Sequence, residues 1–261
     1  GLALPPPFQV RLTAANDSVY ANMNISHVFV SQSTTFDLSD ATYRDASNAY
    51  RGETAGDRLS RLSDEEGVTM EITGLLDDTE AMGYQTIKTF PDLVAECWEV
   101  DGGIGGEARD ALVLEYRTRA DMESRQDLVL SHTLHDLADV PHPTDDDQGF
   151  TNDVTVTRTG GSAARAIVTE GYTSIYEPPT GVGRYETDVT RNAASDDQLP
   201  SIAGWAALTG SWDQDRYPGV RVALHRARLL ADDALFTATV GARLGDTITL
   251  TGLPAWMPPD D

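Results

Sequence analysis

The 261-residue chain reads as an α+β protein: a small two-helix α/β domain, then a β-rich barrel or sandwich with one helix. Three observations carry this reading. Between residues 50 and 120, two segments place apolar side chains at helical spacing behind recognisable caps. Short runs of alternating apolar residues follow each helix. From Phe150 onward such runs dominate, interrupted by a single helical pattern.

The elements follow in order. Residues 1–49 form an N-terminal β-rich segment, with alternation at Phe8, Val10 and Leu12, at Val28 and Val30, and at Phe36 and Leu38. Pro5–Pro7 is an extended lead-in that cannot join the centre of a sheet. The small α/β domain spans 50–120. Its first helix is predicted over Ala55–Glu66: Ala55, Leu59 and Leu62 share a face, Thr54 with Asp57 makes an N-cap pair, and Gly67 suits the C-cap. Val68, Met70 and Ile72 then alternate as a strand. Pro91 opens a second helix, Pro91–Val100, whose buried stripe is Leu93, Val94, Cys97 and Trp98. A turn at Asp101–Gly103 leads to a strand marked by Leu112, Leu114 and Tyr116. Residues 121–149 hold Leu128 and Leu130 and then an acidic, proline-containing linker. The β-rich domain, 150–261, has strands predicted at Val154–Arg158, Ala166–Glu170, Tyr185–Val189, Val220–Leu224, Leu235–Val240 and Thr247–Leu250. Its one helix, Ser201–Gln214, carries Ile202, Trp205, Ala206 and Leu208 on one face and is stopped by Tyr217-Pro218-Gly219.

Composition narrows the function. With 42 acidic against 19 basic residues the net charge is -23, which opposes tight binding of nucleic acid through phosphates. Lys88 is the one lysine. A GC-rich genome or a halophilic source would each produce that bias. No apolar run approaches the ~20 residues of a bilayer span. The opening GLALPPPF lacks a basic n-region, so no signal peptide is expected, and Gly1 with the final Pro-Pro-Asp-Asp reads as an internal piece of a longer polypeptide. A lone cysteine, Cys97, excludes an intramolecular disulfide and reads as a small core residue.

No set of residues reads as a catalytic, cofactor or metal site. Asp101–Glu107 (DGGIGGE) has no following lysine and the wrong strand-to-helix order for a phosphate loop, so it reads as a hairpin turn. Gly160-Gly161-Ser162 lacks the frame of a hydrolase elbow. His132 and His135 would point to opposite faces of a strand, and on a helix would need further ligands from elsewhere. Asp145–Asp147 with Asn152 and Asp153 lacks the spacing and closing glutamate of an EF-hand and reads as a solvated linker, as do Asp77, Asp78 and Glu80. With so many acids, carboxylate pairs of glycosidase type arise by chance. Trp98, Trp205, Trp212 and Trp256 read as core residues and not as a sugar platform.

One segment stands out: NDVTVTRTGGSAARA, Asn152 to Ala166, in which an alternating strand meets a Gly160-Gly161-Ser162 reversal, the hairpin pattern. Together with ETAGDRLSRLSDEEGV, DDTEAMGYQ, TDDDQGF and GDTITLTGLP, in that order over roughly Tyr50 to Pro254, it resembles the minor tail proteins of actinobacterial phages, of the tail-tip or baseplate hub group. That resemblance implies a virion protein with no enzymatic activity and no cofactor. It implies a homotrimeric ring at the tail tip whose partners are the distal tail or tail tube protein on one side. On the other side stand the tip, spike or receptor-binding parts. An acidic lumen would then repel passing DNA. Two other readings stand beside it: a polysaccharide-binding or adhesive β-protein, and an acidic cell-wall hydrolase.

Overall fold

The computed structural model describes residues 45, 48–124, 127–142, 149–212, 217 and 219–254. The strands predicted before Asp45 and the Asp145–Asp147 run lie outside these residues. The fold is mixed α+β.

Helix α1 (Ala55–Glu66) has the predicted bounds, because both of its ends are encoded locally. The Thr54 hydroxyl accepts from the Asp57 N–H, and Gly67 adopts the left-handed conformation that its missing Cβ permits. Strand β1 (Met70–Thr73) follows. Helix α2 (Phe90–Asp101) repeats the design: Thr89 caps through the Asp92 N–H, Pro91 occupies the first turn, and Gly102 closes the helix at φ 77°. Strands β2 (Ile104–Glu107) and β3 (Leu114–Arg117) complete a three-stranded sheet in the order β1-β3-β2. Within it β1 runs parallel to β3, with Ile72 opposite Tyr116, and β2 runs antiparallel. A short helix α3 (Arg119–Glu123) leads to β4 (Leu128–Ser131).

A second three-stranded sheet is built from β5 (Asp153–Arg158), β6 (Ala163–Ile167) and β7 (Glu186–Arg191), in the order β6-β5-β7. β5 and β6 form the expected antiparallel hairpin; β7 returns parallel to β5. Helix α4 (Leu199–Gly210) packs across β5 and β6. After α5 (Ala227–Ala231) and α6 (Asp233–Gly241), β8 (Ile248–Thr251) pairs in parallel with β4. One core joins Leu59 and Cys97 of the two long helices to Tyr116, Val154, Val156 and Ile202. A smaller one holds Leu130, Leu137 and Leu250. The buried apolar faces of both three-stranded sheets and of α1, α2 and α4 are thus parts of one continuous interior.

Several sequence expectations are corrected. Among the described residues no closed barrel forms; the strands after Phe150 divide between a three-stranded and a two-stranded sheet. Leu235–Val240 is helical, not a strand. A short apolar run is ambiguous in period, and here the Asp232 carboxylate accepts from the Leu235 N–H at 3.0 Å and nucleates α6. Val220–Leu224 is not a strand: it holds one isolated bridge, Val222 to Leu137, flanked by the Ala138 N–H to the Arg221 carbonyl and the Ala223 N–H to the Asp136 carbonyl. β6 starts three residues before Ala166 because the turn is tight: Gly161 N–H bonds the Arg158 carbonyl and Arg158 N–H bonds the Ser162 carbonyl at once. Helix α4 ends at Gly210, short of Gln214, and Leu208 is exposed while Ala203 and Ala207 face inward. Leu112 precedes β3 and is fully exposed. Asp101–Glu107 is no hairpin turn: Asp101 ends α2, Gly102 caps it, Gly103 links, and Ile104–Glu107 is β2. Gly105 is needed there because a Cβ would lie 2.4 Å from the Trp98 ring.

Candidate functional site

The polar side chains that the fold buries are engaged in holding loops. Arg58, fully buried on α1, donates through Nη2 to the carbonyls of Tyr50 (2.9 Å) and Gly83 (2.8 Å), and through Nε to Glu53 at 3.1 Å. Asp101 gathers three segments: Oδ2 accepts from the Tyr116 hydroxyl at 2.5 Å and from the Arg119 N–H, and Oδ1 accepts from the Glu80 N–H. Burial, reinforced by the Asp101 charge, holds the Tyr116 phenol well above its ordinary pKa, so it stays a donor. Asp136, also fully buried, accepts from the Ser131 N–H at 2.7 Å and from Arg228.

Asn152 makes three such bonds as well. Its amide donates to the carbonyls of Thr173 (2.9 Å) and Gly183 (2.7 Å), and its carbonyl accepts from the Tyr185 N–H at 2.8 Å. The 169–185 loop is therefore fastened to the start of β5 at three points. Beside it Asp153 takes a two-pronged contact from Arg165, 2.6 and 2.5 Å, with Arg184 at 3.4 Å. Those hydrogen bonds hold the Asp153 carboxyl below the usual range against the opposing effect of burial.

The residues weighed from sequence fall as follows. His132 and His135 sit on the turn after β4, His132 half-buried and His135 exposed at φ 61°. Among the described residues no group of three or more His, Cys, Asp or Glu is placed to hold a metal ion. Cys97 is buried in the core, where burial pushes its thiol up to about 12. Asp77 and Asp78 lie in a single 3-10 turn, Leu76–Asp78, while Glu80 pairs with Arg119 at 3.0 Å and accepts from Gln198 at 2.6 Å. Gly160-Gly161-Ser162 is the β5–β6 turn. Trp98 stacks on Tyr116, ring centroids 6.0 Å apart, and Trp205 donates to the Gly102 carbonyl at 2.9 Å. Trp212 departs from the core reading, being 53% exposed, and Trp256 lies outside the described residues.

Two features escaped the sequence reading: the Asn152 tether, and the exposure of Tyr172, Tyr176 and Tyr185 in the segment it fastens. The available signal was the position of these tyrosines in a glycine- and proline-rich segment between strands, where an aromatic has no sheet face to join.

No protein-family model matches the chain, and no curated protein matches it. Among solved structures it is similar to the 43 kDa tail protein of prophage MuSo2 from Shewanella oneidensis, at 14% identity and a TM-score of 0.36. The match covers 62% of this chain and 45% of that one, so the chain spans less than half of that protein's length. A likeness at that level carries no functional inference.

Proposed function

We propose that this chain is a structural component of a phage or phage-like tail, a hub protein that forms a homotrimeric ring at the tail tip. The ring joins the tail tube to the tip or receptor-binding parts. The observation that carries this reading is the ordered set of tail-hub-like segments over Tyr50–Pro254, and the described ones occupy the joints of the fold. ETAGDRLSRLSDEEGV is α1 with both caps. DDTEAMGYQ crosses from α1 to the end of β7, where Ala55 N–H bonds the Glu80 carbonyl at 2.9 Å and Met82 bridges Ala193. NDVTVTRTGGSAARA is the β5–β6 hairpin, and GDTITLTGLP supplies β8, which closes on β4 across more than a hundred residues of chain. Segments so placed determine shape, which is what a ring subunit needs.

Immunogold labelling of virions that encode the chain tests the proposal. Gold confined to the distal end of the tail is expected. Labelling of capsids, or of lysate protein absent from particles, would refute it.

A further inference from the structure

We infer that the groove between α1 and the start of α2 is the seat of this chain's own uncharged stretch, residues 18–36. The groove has a volume of about 760 Å³. Leu62 of α1 and Leu93 of α2, both buried, line its base, and the 84–88 segment and the 48–50 turn line it beside them. Ile87 of that segment is fully exposed and the Tyr84 ring is 52% exposed. Apolar side chains gathered in one groove gain from being covered.

The path of the chain selects the cover. Residues 1–44 lead into the described fold at Asp45, and Asn48 and Ala49 already line the groove. Ala49 and Tyr50 both take the left-handed conformation, φ 49° and 54°, which residues with a Cβ rarely adopt. The turn is pinned there: the Tyr50 N–H bonds the Asp45 carbonyl and the Gln85 N–H bonds the Ala49 carbonyl, each at 2.8 Å. The preceding chain is thus delivered against the groove. Within it, residues 18–36 contain no Asp, Glu, Lys or Arg, a run unmatched in length elsewhere in a chain that is 23% charged. The run includes Val28, Phe29, Val30 and Phe36. An uncharged, apolar segment suits an opening flanked by Glu65 and Glu66, which would repel an acidic one; Lys88, at the same opening, is already paired with Glu96. The dozen residues from Phe36 to Asn48 reach up to ~40 Å when extended, enough to turn back over the groove. A tether of that length presents the segment at an effective concentration on the order of millimolar, an advantage that no separate molecule has. A second copy lacks it and brings a further charge of -23. This inference does not depend on the tail assignment.

The test places a photo-reactive benzophenone side chain at position 87 of the full chain. Cross-links formed on illumination, mapped by mass spectrometry on a mixture of light and heavy isotope-labelled protein, should join position 87 to residues 18–36 of the same molecule. In Ile87→Asp, with circular dichroism matching the parent, amide exchange within residues 18–36 should quicken about tenfold or more. Should Ile87→Asp fail to fold, Tyr84→Ser replaces it with the same expectation. Cross-links between copies would assign the groove to a second chain and overturn the inference. Cross-links to other parts of the same chain, no cross-link at all, or unchanged exchange in the folded variants would overturn it too. Each of these results leaves the tail assignment standing.

Discussion

Asn152 shows how much one side chain can determine. Its amide is buried, satisfies two carbonyls and one N–H, and is the tie between β5 and the 169–185 loop. Asn152→Ala leaves those three backbone groups without their partner, so chemical denaturation should report a loss of about 2–4 kcal/mol. Asn152→Asp should also destabilise, because a carboxylate cannot donate to the Thr173 and Gly183 carbonyls. The neighbouring Asp153 gives a pH prediction. Arg165 depresses its folded pKa below the unfolded value, so the unfolded chain binds the proton first as pH falls. Its contribution is complete above the unfolded pKa of about 4 and disappears as pH drops through the folded one. Asp196, hydrogen-bonded by Arg158 and then Ser162 and held at about 2, has the same sign. Melting temperature should therefore fall between pH 5 and pH 2, and more shallowly in Asp153→Asn. An equal slope in both proteins would remove Asp153 from the account.

Among the elements, the second long helix is the one whose packing is most readily tested. Trp98 of α2 stacks parallel to Tyr116 of β3 and lies over the bare backbone of Gly105 in β2. Trp98→Ala should cost about 3–5 kcal/mol through the cavity it leaves. Gly105→Ala should also destabilise, since its Cβ would lie 2.4 Å from the indole. Thermal or urea denaturation of the two variants checks both, and unchanged midpoints would contradict the packing. The elements also show what the sequence could reveal. α1 and α2 were legible to within a residue because Thr54, Thr89, Gly67 and Gly102 encode their ends locally. The two helices also pack on each other and share a core with β5 and α4. That sharing is long-range and leaves no periodic trace. α6 was misread because the short run Leu235–Val240, apolar at Leu235, Phe236, Ala238 and Val240, fits either period and the deciding group, the Asp232 carboxylate, stands outside the run. The tethering of the 169–185 loop was not legible, since the segments that Asn152 joins lie more than twenty residues from it in the chain.

On the scale of the whole molecule, charge and assembly dominate. A subunit carrying -23 repels its copies unless the contacts are broad or the acids face elsewhere. The charge-poor segment Leu244–Pro254, where Leu244 and Ile248 are 59% and 41% exposed, is therefore expected near the contacts between subunits. If the ring lines a DNA conduit, carboxylates should outnumber arginines on its axis-facing surface, because phosphate-binding arginines would retard passage. A map of the lumen with net positive charge would contradict that. The most direct test of the central claim is an electron cryomicroscopy reconstruction of the tail tip of a particle that encodes this chain. A ring of three copies between the tube and the distal parts is predicted. A two-fold dimer as the assembled species, or no density for the chain in the tail, would contradict it.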